Sequence, residues 1–156
     1  MYDLKKLMKG SEPIADYLAS IGPDNAVFAK GPKDYRPIGK VVNELKRYAK
    51  RVMVIVFSAE WCPDCARNVP ALGRIAEVTG IEVRVFGHLM RSSLSSAERW
   101  KCSPSPPECR EFNVVKIPLI IVIDGRGEKL GEIVENPPVG ERLEETLLKI
   151  LKGSVI

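Results

Sequence analysis

Residues 52–65 carry the strongest structural signal in this 156-residue chain and read VMVIVFSAEWCPDC. The first part, Val52–Phe57, is an uninterrupted run of β-branched and other apolar side chains, which is typical of a strand covered on both faces. A proline then follows directly after a cysteine, and apolar residues recur at helical spacing from Val69 to Ala76. Because proline fits the first turn of a helix, the pattern predicts a buried, central strand followed by a helix that begins beside Cys62.

Two cysteines, Cys62 and Cys65, lie at this junction with two residues between them. A thiol at the N-terminus of a helix faces the positive end of the helix dipole and free backbone N–H groups, which lower its pKa and favour the reactive thiolate. Cys62 is therefore the predicted nucleophile. Cys65 falls in the first turn of the same helix, so it is predicted to resolve a mixed disulfide formed on Cys62.

The chain beyond residue 40 predicts an α/β fold in which a central mixed sheet is flanked by helices. The order strand, helix, strand implies a right-handed parallel crossover, and the later DGRG turn implies an antiparallel hairpin. The predicted elements around residues 52–79 are a helix from Val41 to Ala49, a strand from Ile81 to Phe86, a helix from Ser92 to Trp100, a rigid loop from Lys101 to Pro107, a strand from Val114 to Asp124, a strand from Lys129 to Glu135 and a helix from Leu143 to Leu151.

Residues 1–39 are predicted to form a helical N-terminal extension and connector, and residues 40–156 the main domain. Apolar residues at helical spacing indicate two short helices within residues 1–22. Ser11 is the predicted N-cap of the second helix, with Glu12 and Pro13 in its first turn. The segment from Asp24 to Gly39 is rich in proline and glycine, which predicts a loop.

The segment Ala59-Glu60-Trp61-Cys62-Pro63-Asp64-Cys65, with Pro70 in the helix and Ile117-Pro118 at a later strand, resembles the thioredoxin superfamily. The resemblance covers about Lys40 to Lys152 and implies a thioredoxin-like fold with a cis Ile117–Pro118 bond against the cysteines. It also implies that the protein reduces protein disulfides, with Trp61, Pro63, Ile117 and Pro118 contacting the substrate. No dissociable cofactor is implied, and electrons are expected from a flavoprotein similar to thioredoxin reductase.

Two departures from the thioredoxin pattern bear on mechanism. Val56 occupies the position where thioredoxins place a buried acid that helps to deprotonate the resolving thiol, so slow resolution by Cys65 is expected unless Glu60 or water acts as the base. The chain between Cys65 and Pro118 is also longer than in a minimal thioredoxin by about a dozen residues on a coarse alignment. This surplus includes Cys102 and Cys109, so access of substrate to the site is expected to differ.

Each cysteine pair has an alternative role. Cys62 and Cys65 could join Cys102 and Cys109 in a four-sulfur zinc shell, but the motif lies between a strand and a proline-started helix, so redox chemistry is favoured and no metal is expected. Cys102 and Cys109 are predicted to form a structural disulfide across a proline-rich loop or to remain idle thiols. The alternative is a second redox pair that exchanges with Cys62.

Other side chains near the motif have simpler roles. His88, the only histidine, is predicted to be a loop residue near the site rather than the base of a cysteine hydrolase. Trp61 is predicted to be partly packed and partly exposed, and Trp100 to lie in the core. Glu60 and Asp64 are expected to be solvated charges that oppose formation of the neighbouring thiolate.

Composition excludes several classes of function. The net charge is +4 and the basic residues are scattered, so nucleic-acid binding is not expected. No apolar run approaches a membrane span of about 20 residues, and the N-terminus lacks a secretory signal core, which predicts a cytoplasmic protein. The absence of glutamine hints at a thermophilic source. The alternative to an enzyme is a non-catalytic interaction module in which residues 1–39 contact a partner.

Overall fold

The computed structural model describes residues 1–91, 100 and 104–154. Within these residues, a five-stranded sheet carries helices on both faces. The elements are α1 (Leu4–Gly10), β1 (Glu12–Pro13), α2 (Ile14–Ser20), α3 (Ala26–Ala29), α4 (Gly39–Leu45) with a 3₁₀ turn (Lys46–Tyr48), β2 (Val52–Phe57), α5 (Pro63–Thr79), β3 (Glu82–Phe86), α6 (Glu108–Glu111), β4 (Leu119–Asp124), β5 (Lys129–Val134) and α7 (Leu143–Lys152).

The sheet has the strand order β1-β3-β2-β4-β5, so β2 is its central strand, as the apolar run predicts. β3 runs parallel to β2, with Val56 opposite Val85, whereas β4 and β5 are antiparallel to their neighbours. All residues of β2 and β4 are buried, because helices cover both faces of these two strands and their side chains are almost all apolar. The predicted α/β class with a central mixed sheet flanked by helices is confirmed.

The N-terminal segment differs from the sequence prediction at Ser11. Its hydroxyl donates to the Leu7 carbonyl oxygen and accepts from Arg84 Nε at 3.0 Å, so it is not free to cap α2, whose N-cap is Pro13. Glu12 and Pro13 form the edge strand β1, antiparallel to β3, rather than a first helical turn. An edge position tolerates proline because its missing N–H is not needed by a further strand. The division of the chain at residues 39 and 40 stays a prediction.

Three other boundaries differ from the prediction or lie outside the described residues. The predicted loop from Asp24 to Gly39 contains the short helix α3, whose first turn is capped because Phe28 N donates to Asn25 Oδ1 at 2.9 Å. The strand predicted from Val114 begins only at Leu119, since Val114 N is already bonded to the Cys109 carbonyl oxygen. The helix predicted before Trp100 and the start of the following loop lie outside the described residues.

Glu144 on α7 is fully buried and holds the segment that contains Tyr35 and Ile38 against α7. Its carboxylate accepts a hydrogen bond from the Tyr35 hydroxyl, one from Ile38 N at 2.8 Å and one from Arg142 Nε at 2.9 Å. Burial raises the pKa of Glu144, but the hydrogen bonds from Tyr35, Arg142 and Ile38 together outweigh it and hold the pKa below its ordinary value. The carboxylate therefore stabilises the fold in its charged form.

The Glu144→Ala variant is expected to lose about 2–4 kcal/mol of unfolding free energy at pH 7, since it leaves the Tyr35 hydroxyl and Arg142 without their buried partner. Because the folded pKa is depressed, this contribution is present above the ordinary carboxyl pKa and is lost as the pH falls through the lower folded value. Urea unfolding at several pH values measures it. Glu77→Ala, which removes only an exposed pair with Arg74, is the control and should change stability by less than about 0.5 kcal/mol. Equal losses in the two variants would contradict the assignment.

Candidate active site

The two motif cysteines lie where the chain leaves β2 and enters α5. Cys62 is the N-cap residue of α5, and Pro63 occupies the first helical turn, as the sequence predicts. The first turn brings the Cys65 backbone N–H to within 3.4 Å of Cys62 Sγ, to which it donates. Both cysteines are buried, and Cys65 is completely inaccessible to solvent. The two sulfurs are therefore held together at the end of the central strand.

The surroundings of the two thiols differ and separate their acidities. The hydrogen bond from the Cys65 thiol is the largest cause that lowers the pKa of Cys62 to about 7, and the backbone N–H groups of Cys65 and Asp64 add to it against burial and the charge of Asp64. Burial, followed by the same thiol–thiol contact, raises the pKa of Cys65 far above its ordinary value. Cys62 therefore supplies the thiolate near neutral pH, and Cys65 remains a protonated thiol.

The alkylation rate of Cys62 by iodoacetamide is expected to rise with pH about a midpoint near 7, where its thiolate forms. In Cys65→Ala the midpoint should move up toward the ordinary cysteine value of about 8.5, because the main stabilising hydrogen bond is lost. Mass spectrometry of the Cys62 peptide follows the reaction. Cys109→Ala serves as the control and should leave the midpoint in place; an unshifted midpoint in Cys65→Ala would contradict the thiol–thiol explanation.

The Ile117–Pro118 segment faces the cysteines at the start of β4. The peptide bond between these residues is cis, as the resemblance implies, and the Cys62 thiol donates to the Ile117 carbonyl oxygen at 3.8 Å. Pro118 contributes its carbonyl oxygen to a hydrogen bond from Glu135 N at 2.8 Å, which ties the segment to the end of β5. Both residues are buried. Their predicted role in substrate contact stays a prediction.

Trp61 forms the rim of the site beside Cys62. Its side chain is 40% exposed, while its indole N–H donates to the Leu89 carbonyl oxygen at 3.0 Å. The ring stacks on Trp100 with a centroid separation of 5.7 Å, and Trp100 itself is buried. The packing predictions for both tryptophans are thus correct. Pro63 is exposed beside Trp61, so these two side chains present an accessible surface next to the nucleophile.

The two acidic residues of the motif are less solvated than predicted. Asp64 pairs with Arg67 at 3.1 Å and accepts a hydrogen bond from Asn136 Nδ2 at 3.3 Å. Glu60 Oε1 lies 3.0 Å from His88 Nδ1 and accepts from His88 N at 3.2 Å. His88 is a loop residue near the site, as predicted. These partners explain why each carboxylate is only about one-third exposed, since the pairing covers part of its surface.

Tyr17 and Ser58 also belong to the site, and no pattern in the sequence predicted either of them. The Tyr17 hydroxyl of α2 lies 2.9 Å from Ser58 Oγ, and the Ser58 hydroxyl is close enough to the Cys65 thiol to lower its pKa against the larger effect of burial. Tyr17 and Ser58 are both fully buried. Val56, at the position of the missing acid, is buried and apolar as its sequence position indicates. The hydroxyls near Cys65 are therefore that of Ser58 and, beyond it, that of Tyr17 on α2.

Cys109 is a buried free thiol in α6, and burial followed by the charge of Glu108 raises its pKa to about 12. Cys102 lies outside the described residues, so the second disulfide, the exchanging pair and the four-sulfur zinc shell all stay untested. Among the residues that the structure does describe, no group of three or more histidine, cysteine or acidic side chains could hold a metal ion. Within the same residues, no helix has both the length and the apolar character needed to cross a membrane.

Comparison with known proteins agrees with this geometry. A family model described as thioredoxin matches residues 27–148. A crystal structure of a protein of unknown function from Pseudomonas aeruginosa overlaps with a TM-score of 0.66 at 20% identity, covering 99% of this chain and 100% of that chain. An HIV epitope-scaffold structure overlaps equally well, at 18% identity over 99% of this chain and 100% of that chain, with a TM-score of 0.66.

A third solved structure, a DsbH oxidoreductase, has a TM-score of 0.44 at 15% identity, over 76% of this chain and 84% of that chain. No curated protein in the comparison matches this chain. At these identities the two structures with the higher scores share the fold with this chain. The family model, in contrast, spans the cysteine motif, the Ile117–Pro118 segment and most of the sheet.

Proposed function

This chain belongs to the thioredoxin family, and we propose that it is a thiol-disulfide oxidoreductase that reduces disulfide bonds in other proteins. The observation that carries the proposal is the position of two adjacent thiols at the start of α5, one at the N-cap and the other fully buried in the first turn. Cys62 is the N-cap residue of α5, and its pKa is lowered to about 7. Cys65 is fully buried beside it, and burial raises its pKa so that it stays a protonated thiol. A reactive thiolate with a resolving thiol one helical turn away is the arrangement that disulfide exchange requires.

The reaction proceeds in two exchanges. The Cys62 thiolate attacks one sulfur of the substrate disulfide, forms a mixed disulfide and releases the other substrate sulfur as a thiolate. Cys65 then attacks Cys62 Sγ, so that the Cys62–Cys65 bond forms, the bond to the substrate breaks and Cys65 loses its proton. The substrate gains two electrons, and the protein becomes the disulfide form.

The proposed substrate surface surrounds Cys62. Trp61 and Pro63 are exposed on one side of the sulfur, and the Ile117–Pro118 segment closes the other side. Val115, three residues before the cis proline, is 59% exposed, which leaves room for an extended substrate chain along this edge. Together these groups support contact with a protein backbone around its disulfide, because extended peptides bind through main-chain pairing at such edges.

The oxidised protein must be reduced again for turnover. A flavoprotein similar to thioredoxin reductase is the proposed electron donor, as the family resemblance implies, and no dissociable cofactor on this chain is part of the proposal. A reducing role fits the cytoplasm, where thiols are kept reduced.

An insulin-reduction assay tests the proposal. With dithiothreitol as electron source, the protein is expected to accelerate precipitation of the insulin B chain in proportion to its concentration. A folded protein that fails to accelerate the reaction would favour the alternative, a non-catalytic module that uses the same surface to bind a partner.

Asp64→Asn is expected to make the reduction potential of the Cys62/Cys65 pair less negative. The charge of Asp64 raises the pKa of Cys62 and so disfavours the reduced form, although its pairing with Arg67 weakens the effect. We expect a wild-type value at or below about −270 mV and a shift of less than about 30 mV, the equivalent of one pKa unit. Equilibration against redox buffers measures both values. Asp34→Asn, remote from the site, is the control; a variant potential equal to or below that of wild type would show that Asp64 does not tune the pair.

A further inference from the structure

The buried Cys65 thiol poses a problem for the second exchange, because it must lose its proton without contact with water. Its side chain is fully inaccessible, and position 56, which faces this region in the family pattern, holds an apolar valine. The Cys62 thiol and the Ser58 hydroxyl both lie close enough to the Cys65 thiol to act on its pKa, which the Ser58 hydroxyl lowers against the larger effect of burial. A hydroxyl can accept one proton while it donates another, so Ser58 can begin a path outward.

The path continues from Ser58 to Tyr17 of α2. The two hydroxyl oxygens are 2.9 Å apart, and both side chains are fully buried. Gly87 allows the tyrosine to reach this position, since a Cβ atom there would lie 2.4 Å from Tyr17 Cε1. The Tyr17 ring therefore occupies space that a side chain at position 87 would fill, and its hydroxyl lies at the active-site end of β2.

From Tyr17 the path reaches the surface through Glu60. After burial, the charge of the nearby Glu60 carboxylate is a further cause that raises the pKa of the Tyr17 hydroxyl. Its Oε1 atom also lies 3.0 Å from His88 Nδ1 and accepts from His88 N at 3.2 Å. The Glu60 side chain is 27% exposed and that of His88 is 55% exposed, so protons can exchange with solvent at this end.

We propose that Ser58, Tyr17 and Glu60 form a proton relay that deprotonates Cys65 during resolution of the mixed disulfide. The inference rests on the proposed oxidoreductase function and assigns its base. As Cys65 Sγ bonds to Cys62 Sγ and the substrate leaves as a thiolate, the Cys65 proton passes to Ser58. The Ser58 proton passes to Tyr17, and the Tyr17 proton passes to the Glu60 carboxylate. One negative charge thus moves from Glu60 to the departing substrate thiolate.

The character of each group suits its place in the relay. Burial is the largest cause that raises the pKa of Tyr17 well above its ordinary value, so the phenol stays neutral and passes a proton without storing charge. Glu60 is the only carboxylate among the three groups and the only one of them that is partly exposed, which makes it the acceptor at the end of the chain. His88 pairs with Glu60 and holds its carboxylate at the solvent-exposed end of the relay.

Reaction with 5,5′-dithiobis(2-nitrobenzoate) separates the two exchanges. In a Cys102→Ser, Cys109→Ser background, the first equivalent of thionitrobenzoate reports attack by Cys62 and the second reports resolution by Cys65. Tyr17→Phe removes only the relay hydroxyl, and Glu60→Gln keeps the shape of the side chain but cannot take a proton. Tyr48→Phe, which removes a hydroxyl from the 3₁₀ turn that precedes β2, at the opposite end of that strand from Ser58, is the matched control.

Tyr17→Phe and Glu60→Gln are expected to leave the first phase unchanged and to slow the second at least about tenfold, at the low end of general base effects. The second phase of both variants should rise about tenfold per pH unit between pH 6 and 8, as hydroxide replaces the relay, while the wild type and Tyr48→Phe show a flatter profile. A second phase unchanged in both variants, both phases slowed alike, or an unchanged pH profile would overturn the relay.

The outcomes for the relay and for the enzyme are distinct. A wild-type protein that shows no second phase and no insulin reduction would overturn the oxidoreductase proposal itself. A wild type with normal insulin reduction and variants indistinguishable from it would overturn only the relay. Should Tyr17→Phe lose its fold, Glu60→Gln decides the question, because Glu60 lies at the surface end of the path.

Discussion

Cys62→Ser is expected to abolish disulfide reduction, with the insulin-reduction rate falling by on the order of a thousandfold or more toward the uncatalysed rate. The physical reason is that a serine hydroxyl does not ionise near neutral pH, whereas the Cys62 thiol does, with a pKa of about 7. Initial rates at equal protein concentration measure the loss. Cys109→Ser, which changes a buried thiol with a pKa of about 12, is the matched control and should keep full activity.

Cys65→Ser is expected to retain the first exchange and to accumulate mixed disulfides on Cys62, because the resolving attack is lost. Non-reducing electrophoresis after incubation with a disulfide protein should show adducts that disappear on reduction and that are absent from the double variant Cys62→Ser, Cys65→Ser. If the adducts instead form through Cys65 in Cys62→Ser, or if Cys65 is alkylated faster than Cys62, the two roles are reversed.

Phe57→Ala is expected to lower the unfolding free energy by about 3–5 kcal/mol, the range for truncation of a buried aromatic ring. Phe57 is the last residue of β2 and fully buried. Its ring stacks on Phe86 at a centroid distance of 5.1 Å and meets Phe112 at 5.4 Å. Truncation would leave a cavity between these rings that the rigid central strand cannot close.

Chemical denaturation measures the Phe57 effect, and the melting temperature should fall by about 10 °C for a chain of this size. Val115→Ala is the control, because Val115 is 59% exposed and its truncation should cost less than about 0.5 kcal/mol. A loss below about 1 kcal/mol in Phe57→Ala would mean that the cluster repacks around the gap.

Local sequence signals account for much of the fold. The apolar run of β2, the proline at the start of α5 and the left-handed Gly80 that ends it are determined by residues adjacent in sequence, which makes them readable from the chain alone. The same holds for the hairpin of β4 and β5, whose turn residues follow one another directly. The Cys62/Cys65 pair belongs to this group, because a helical turn brings together residues three apart.

Tertiary structure alone decided which distant segments complete the sheet and the site. β1 has only two residues, too few to show the alternation of polar and apolar side chains that marks a strand. Its pairing with β3 therefore cannot be read from its own sequence. Tyr17 meets Ser58 across 41 positions, and Glu144 meets Tyr35 across 109. Such contacts depend on which buried polar groups remain to be satisfied once helices and strands have packed, and no local pattern encodes that.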